Sequence, residues 1–259
     1  MNQLYILQTP VSSHLKPTTA IFNAVINAWA RTDTTNGSQI QTSSGSTDLN
    51  MANAAQRAEQ ILQWMLQLYR QGNVDVKPDK YTYNTVIHSY AKIGNAPKAL
   101  EILNQMREYN SLVQPDTITY NVVINALAKS QNVDAPRQAE ALLQEMHELY
   151  QSGNSCVKPN VVTYGAVIDS HAKSSMPGNA ARADELLAQM IHLHQSDPVA
   201  HSDLRPNTYS FNTVINAWAK SQEYDSADKA EEMLRLMEEL SSRHGMDVRP
   251  DAFTYTAGK

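Results

Sequence analysis

The feature that most constrains this chain is a thirteen-residue segment that occurs five times. The copies align without gaps, and each carries an aromatic residue at its fourth place, Val-Ile at the seventh and eighth, and Ala followed by Lys or Arg at the end. Places 4, 7, 8, 11 and 12 have the spacing of one face of an α-helix. The copies are TAIFNAVINAWAR (19–31), KYTYNTVIHSYAK (80–92), TITYNVVINALAK (117–129), VVTYGAVIDSHAK (161–173) and TYSFNTVINAWAK (208–220). Such a chain is expected to fold as an array in which each unit packs mainly on its neighbours.

A second helical pattern follows each segment. Ala, Leu and Met recur at i, i+4 and i+7, as in Ala139, Leu143 and Met146, which again lie on one helical face. A loop then ends in Pro followed by Asp or Asn, which are residue types that cap helix N-termini. Each unit is therefore predicted to be a helix, a turn, a second helix, a loop, a proline and a cap.

The spacing of these patterns sets the predicted domain organisation. Differences in unit length are confined to turns and loops, which an array of stacked units tolerates. Within the first repeat, the Ser/Thr/Asn/Gly-rich stretch at about 32–50 is predicted to be a disordered loop. The chain is expected to be a fragment or an incomplete gene model. The predicted boundaries are a partial preceding repeat at 1–18, repeats at 19–79, 80–116, 117–160, 161–207 and 208–251, and a truncated sixth repeat at 252–259.

Composition excludes several classes of protein. The single Cys among 259 residues rules out an intramolecular disulfide framework and a multi-Cys zinc site. No apolar run is long enough to cross a membrane, and no nucleotide-binding, hydrolase or metalloprotease motif is present. We therefore expect no catalytic residue, cofactor, metal or membrane partner.

The net charge at first argues against a nucleic-acid partner. The chain carries −5, but the five segments together carry +5, so the remaining residues carry −10. The acidity therefore belongs to the second helices and the loops. The face formed by the first helices is predicted to be positive, as nucleic-acid binding requires.

These residues resemble the pentatricopeptide repeat family. The shared marks are a VTYN-like opening, an Ala-Lys end to the first helix, an A-x6-M second helix and a KPD or KPN closing, and they cover about residues 16–259. The tetratricopeptide alternative would show W-x2-L-G-x2-Y early in the unit, which is absent. The resemblance implies an all-α, right-handed solenoid of helix-turn-helix repeats. It also implies single-stranded RNA binding with one base per repeat.

In this family two places select the base, namely the fifth residue of the first helix and the residue after the proline. Under the family's pairing rule, Asn with Asp favours U and Asn with Asn favours a pyrimidine. The Gly-Asn pair departs from the usual combinations, and its small fifth residue leans towards a purine, with adenine as the candidate. The implied target is U-U-(C/U)-A-U from 5′ to 3′. The pairs are Asn23 with Asp79, Asn84 with Asp116, Asn121 with Asn160, Gly165 with Asn207, and Asn212 with Asp251.

The resemblance also implies residues that stack on bases and residues that contact phosphates. The second place of each first helix is expected to wedge against base faces, and the thirteenth-place cation is expected to approach a phosphate. Such a cation also complements the helix dipole, and the two roles are compatible. The expected stacking residues are Tyr81, Ile118, Val162, Tyr209 and Phe253. The expected phosphate contacts are Arg31, Lys92, Lys129, Lys173 and Lys220.

Two other functions remain open from the sequence. A helical-repeat scaffold that binds a protein in its groove is one alternative, although a varied apolar groove would suit it better than repeated Asn and Lys. The other is that the chain is the binding part of an enzyme. Since the family works mostly in mitochondria and plastids, we expect an organellar location and a role in RNA processing, stability or translation, although no targeting segment is visible.

Overall fold

The computed structural model describes residues 16–31, 45–109, 113–130, 132–174, 176–243 and 248–257. These residues form eleven α-helices and three short 3-10 turns, and the predicted all-α helical-repeat class is confirmed. The right-handed sense of the solenoid stays a prediction. The first helices of the units are α1 (Thr19–Ala30), α3 (Lys80–Lys92), α5 (Thr117–Lys129), α7 (Val161–Lys173), α9 (Thr208–Lys220) and α11 (Ala252–Ala257). The second helices are α2 (Gly45–Arg70), α4 (Ala96–Tyr109), α6 (Ala135–Gln151), α8 (Asn179–Ser196) and α10 (Ser226–Arg243).

The start of α2 differs from the predicted loop at 32–50. The helix begins at Gly45, and Ser46, Thr47 and Asp48, which follow it, are residue types that favour helix starts. Residues 32–44 lie outside the described residues, as do residues 1–15 of the predicted partial repeat.

The chain divides into two compact units, residues 1–89 and 90–259. In the first unit α1 packs on α2, and Phe22 and Ile26 on α1 are buried. The ring of Phe22 meets that of Trp64 edge to face, with centroids 5.1 Å apart. This arrangement buries the apolar face that the periodicity predicts for α1.

In the second unit the first helices lie side by side, α5 against α7, α7 against α9 and α9 against α11. The second helices pack against this layer, with α6 touching α5 and α7, and α8 touching α7 and α9. The seventh and eighth places of α7, Val167 and Ile168, are 0% exposed. Burying side chains of this size stabilises by about 1.5–3 kcal/mol each, so these pairs hold neighbouring repeats together.

The loops before α3, α5, α7, α9 and α11 are fixed in the same way. An apolar residue two places before the proline is at most 6% exposed. The first-place Thr of three first helices also donates to the carbonyl of the residue before the next proline. These donations run from Thr19 to Lys77 (2.7 Å), from Thr117 to Lys158 (2.9 Å) and from Thr208 to Arg249 (3.3 Å). The buried anchors are Val76, Val113, Val157, Leu204 and Val248.

An ionic cluster around the half-buried Glu140 ties α6, α7 and α8 together. Arg182 on α8 makes a bidentate contact with Glu140 on α6, at 3.0 Å from Nε to Oε1 and 2.7 Å from Nη2 to Oε2. His171 on α7 is 4% exposed, and its Nε2 lies 2.7 Å from Oε1 of Glu140. Burial raises the pKa of the Glu140 carboxyl, but Arg182 outweighs burial, so the pKa lies below its ordinary value.

We expect Glu140→Gln to unfold at lower urea than the wild type at neutral pH, with a difference that shrinks on acidification. A carboxyl with a lowered pKa in the folded state stabilises the fold above its unfolded pKa and loses that contribution as pH falls through the folded pKa. Urea midpoints followed by circular dichroism from about pH 7 to pH 3 measure the effect. The matched control is Glu231→Gln, because Glu231 pairs with Arg235 on the exposed face of α10 and such pairs contribute little. A pH-independent difference for Glu140→Gln would contradict this account.

Candidate nucleic-acid interface

The residue after each proline caps the first helix that follows it. In the first unit the Asp79 carboxylate accepts from the backbone N–H of Thr82 at 2.8 Å, and the Asp79 N–H donates to the Thr82 hydroxyl at 3.1 Å. Asp116, Asn160 and Asp251 make the same reciprocal pair with Thr119, Thr163 and Thr254. A cap of this kind contributes about 1 kcal/mol, and here it also fixes where the capping side chain lies.

The fifth-place Asn joins this cap and completes a three-residue network. Asn23 donates from Nδ2 to the Asp79 carboxylate at 3.2 Å and accepts at Oδ1 from the Thr82 hydroxyl at 2.6 Å. Because an ionised carboxylate only accepts, the amide nitrogen faces Asp79 and the amide oxygen faces Thr82. The predicted base-selecting pair is therefore in direct contact in this repeat.

The same network occurs twice in the second unit. Asn121 donates to Asn160 at 3.3 Å and accepts from Thr163 at 2.6 Å. Asn212 donates to Asp251 at 3.2 Å and accepts from Thr254 at 2.6 Å. The hydroxyl partner was missed from the sequence. In the sequence, this partner is marked by a Ser or Thr that recurs at the third place of the first helices. In the structure these residues are at most 2% exposed: Thr82, Thr119, Thr163, Ser210 and Thr254.

Asp and Asn at the capping place leave different groups for a ligand. Asn160 accepts at Oδ1 from the backbone N–H groups of Val162 and Thr163, each at 3.1 Å. Its Nδ2 group therefore stays outside the cap as a donor. Where Asn has this Nδ2 donor, an Asp has a second carboxylate oxygen, which accepts hydrogen bonds. The capping residue thus decides whether the site offers a donor or an acceptor beside the fixed amide.

Gly165 makes one repeat different. A side chain there would begin 3.9 Å from the ring of Tyr209, so the space is open to a small group. Asn207 still caps α9, accepting from the backbone and hydroxyl of Ser210 at 3.0 Å each. Burial raises the pKa of the Tyr209 hydroxyl, which stays neutral at physiological pH. This site offers an aromatic ring and an amide but has no fifth-place side chain.

The second-place residues are apolar and exposed. Ile118, Val162 and Tyr209 in the second unit are 63%, 57% and 57% exposed, and Tyr81 in the first unit is 51% exposed. The Tyr209 ring beside Gly165 shows that the second place of one helix lies next to the fifth place of the preceding one. The Phe253 side chain lies outside the described residues. In the described repeats an apolar surface therefore flanks the polar network.

The thirteenth-place cations end the first helices. Arg31, Lys129 and Lys220 are exposed, and Lys92 is half-buried. Lys173 is exposed but pairs with Asp169 at 2.6 Å, one turn earlier on α7. Its charge is therefore partly offset before any phosphate approaches.

The second predicted base-selecting pair, Asn84 with Asp116, is described by the helices that carry it. Asn84 lies half-buried on α3, and Asp116 caps α5. They belong to the two different compact units.

Metal clusters and membrane-spanning helices are both absent from the described residues. No group of three or more His, Cys, Asp or Glu side chains there could hold a metal ion. Within the same part of the chain, no helix combines the length and apolar character that a membrane span needs.

Comparisons with solved structures support the repeat fold. The crystal structure of the pentatricopeptide repeat protein PPR10 from maize matches at 22% identity over 93% of this chain and 32% of that one, with a TM-score of 0.52. A structure of PPR10 in complex with an 18-nt psaJ RNA element matches at 20% identity over 96% of this chain and 31% of that one, with a TM-score of 0.43. The chain thus spans about a third of the length of these structures.

Comparisons with sequences identify the repeat itself. No curated protein sequence matched the chain. A family model described as "PPR repeat family" matches residues 78–129, and one described as "PPR repeat" matches residues 118–150. These matches fall on the helix pairs and caps described above, so residues 78–150 of this chain are similar to pentatricopeptide repeats.

Proposed function

We propose that this chain binds single-stranded RNA, with one base at each repeat. The observation that carries the proposal is the recurring site in which an oriented Asn amide and a capping Asp or Asn lie beside an exposed apolar side chain. A base stacked on an aromatic side chain, such as Tyr81 or Tyr209, gains about 1–3 kcal/mol. Its polar edge then meets the amide and the cap.

The groups left at each cap match particular bases. Uracil presents an N3–H donor flanked by carbonyl acceptors, so a carboxylate oxygen next to an amide N–H complements it. Asp79 with Asn23 and Asp251 with Asn212 provide this pair. Cytosine presents an acceptor at N3, which suits the outer Nδ2 group of Asn160. These complementarities support U at the first and fifth positions and C at the third. In the proposed order U-U-(C/U)-A-U, the U at the second position and the adenine at the Gly165 repeat follow the family's pairing.

Without catalysis, the bound chain would act on the RNA by occupying a particular stretch of it. An occupied array can block a nuclease, keep a site unpaired or recruit another factor. We propose that this supports processing, stability or translation of an organellar RNA in a mitochondrion or plastid.

The proposal is tested by titrating labelled single-stranded RNAs at several salt concentrations. With five phosphate contacts, the slope of log K against log salt is expected to be about −3.5, and about −2.8 if Lys173 stays paired with Asp169. The UUCAU sequence in an unstructured RNA should bind more tightly than a poly(A) RNA of equal length. Binding that is insensitive to salt, or equal for the two RNAs, would contradict the proposal. Tight binding to a protein partner without RNA binding would favour the scaffold alternative.

A further inference from the structure

In three repeats the third-place hydroxyl of a first helix faces the fifth-place amide of the preceding first helix. It lies 2.6 Å from the amide oxygen in all three described networks, at Thr82, Thr163 and Thr254. These threonines are at most 2% exposed, so water competes little for the hydroxyl. The contact is therefore a repeated, buried feature of the site.

The proton of this hydroxyl goes to the amide. A Thr hydroxyl has one proton to donate, and two oxygens lie near it, one on the fifth-place Asn and one on the cap. In the Thr163 site the distances are 2.6 Å to Asn121 and 3.1 Å to Asn160. The cap oxygen already accepts from two backbone N–H groups and from Asn121. No other donor from the described residues reaches the Asn121 amide oxygen, so the hydroxyl proton satisfies it.

This bond limits how the amide can turn. The cap holds the Nδ2 side of Asn121, and the hydroxyl holds the Oδ1 side. Rotating the amide by half a turn would place its oxygen against the Asn160 oxygen and lose both bonds. The hydroxyl thus helps to determine that Asn121 presents an N–H, and not a carbonyl, next to the cap.

The third-place residue differs between repeats that have a fifth-place Asn and the repeat that has Gly165. The four fifth-place asparagines are each followed, at the third place of the next first helix, by Thr, whereas Gly165 is followed by Ser210. The Ser210 hydroxyl donates to Asn207 at 3.0 Å and has no amide to hold. The hydroxyl at this place therefore has one role in the cap and a second role only where an amide is present.

We infer that the third-place threonines are positioning residues for base selection, with Thr163 fixing the amide of Asn121. The inference rests on the proposed function. It assigns specificity to a third side chain in each repeat, one that is buried and makes no contact with the base.

The test compares variants for discrimination at one base. RNAs that carry C or A at the third of the five positions are titrated against the wild type, Thr163→Val, Thr163→Ser and Ser210→Ala. Val matches the shape of Thr but has no donor, and losing about one hydrogen bond corresponds to about a fivefold drop in C-over-A discrimination. Thr163→Ser keeps the hydroxyl and should retain discrimination. Ser210→Ala removes a cap hydroxyl where no amide is present and should leave the ratio unchanged.

The outcomes separate the inference from the proposed function. If the wild type discriminates and Thr163→Val weakens binding to both RNAs equally, Thr163 serves the cap alone and the inference is wrong. If the wild type does not discriminate, the proposed function fails. In that case the NMR resonances of the Asn121 side-chain amide, measured without RNA, test whether Thr163 holds this amide. Thr163→Val should shift these resonances and Thr163→Ser should not. Unchanged resonances in Thr163→Val would overturn the inference.

Discussion

Asn160→Asp is expected to convert the third repeat from a site that accepts C or U into one that selects U. The substitution keeps the shape of the side chain and its cap, because Asp and Asn cap helices about equally well. It replaces the outer Nδ2 donor with a carboxylate oxygen that accepts from uracil N3–H and repels cytosine N3. A hydrogen bond to a charged group contributes about 1.5–3 kcal/mol, so the U-to-C affinity ratio should rise by about tenfold or more.

The measurement is competition between two RNAs that differ only in having U or C at the third of the five positions. The control is Asn207→Asp, which adds the same charge at the next cap beside Gly165, where no fifth-place amide is present. It should weaken both RNAs to a similar degree through its negative charge and leave the ratio at the third base unchanged. Equal ratios for wild type and Asn160→Asp would show that this cap does not read the base.

Tyr164→Ala is expected to cause the largest loss of stability. Tyr164 is 0% exposed at the fourth place of α7, and its hydroxyl lies 3.0 Å from Nε2 of His147. Burial raises the pKa of Tyr164 to about 12, as expected for a phenol removed from water. Truncating a buried aromatic side chain costs about 3–5 kcal/mol. Urea unfolding followed by circular dichroism, with amide hydrogen exchange in α7 and α9, measures the loss.

The chain supplies the matched control. Phe211 occupies the same place in α9 and is also 0% exposed, so a ring without a hydroxyl fits this slot. Tyr164→Phe should therefore cost only about 1 kcal/mol, the contribution of one hydrogen bond. If Tyr164→Ala costs no more than Tyr164→Phe, the fourth-place aromatic does not stabilise the stack.

The helices were predictable because their signal is local. The apolar places of each segment recur at helical spacing, and the proline and cap mark each start, as Asn160 does for α7. Burial of one face follows directly from that spacing. The start of α2 was less predictable, since its first residues are Ser, Thr and Asp, which favour loops and helix starts alike.

The contacts that complete the site were not local. The Thr163 hydroxyl contacts its own cap, three residues away, but its shortest hydrogen bond is to Asn121, 42 residues earlier. His171 and Arg182 likewise both reach Glu140 only when α6, α7 and α8 pack together. Partners of this kind depend on how one repeat stacks on the next, which a repeat period alone does not encode.

Because of the buried anchors before each proline, the position of a site does not depend on the length of the loop that precedes it. The distance from the helix Met to the proline varies from 9 to 16 residues along the chain, yet Val113 and Leu204, at the ends of the shortest and longest of these loops, are both buried. Extra residues are thus accommodated upstream, while the cap and its amide keep their geometry. A gene for such a protein can gain or lose loop residues without moving the cap that begins the next repeat. This makes the loops natural places to insert tags or new binding segments.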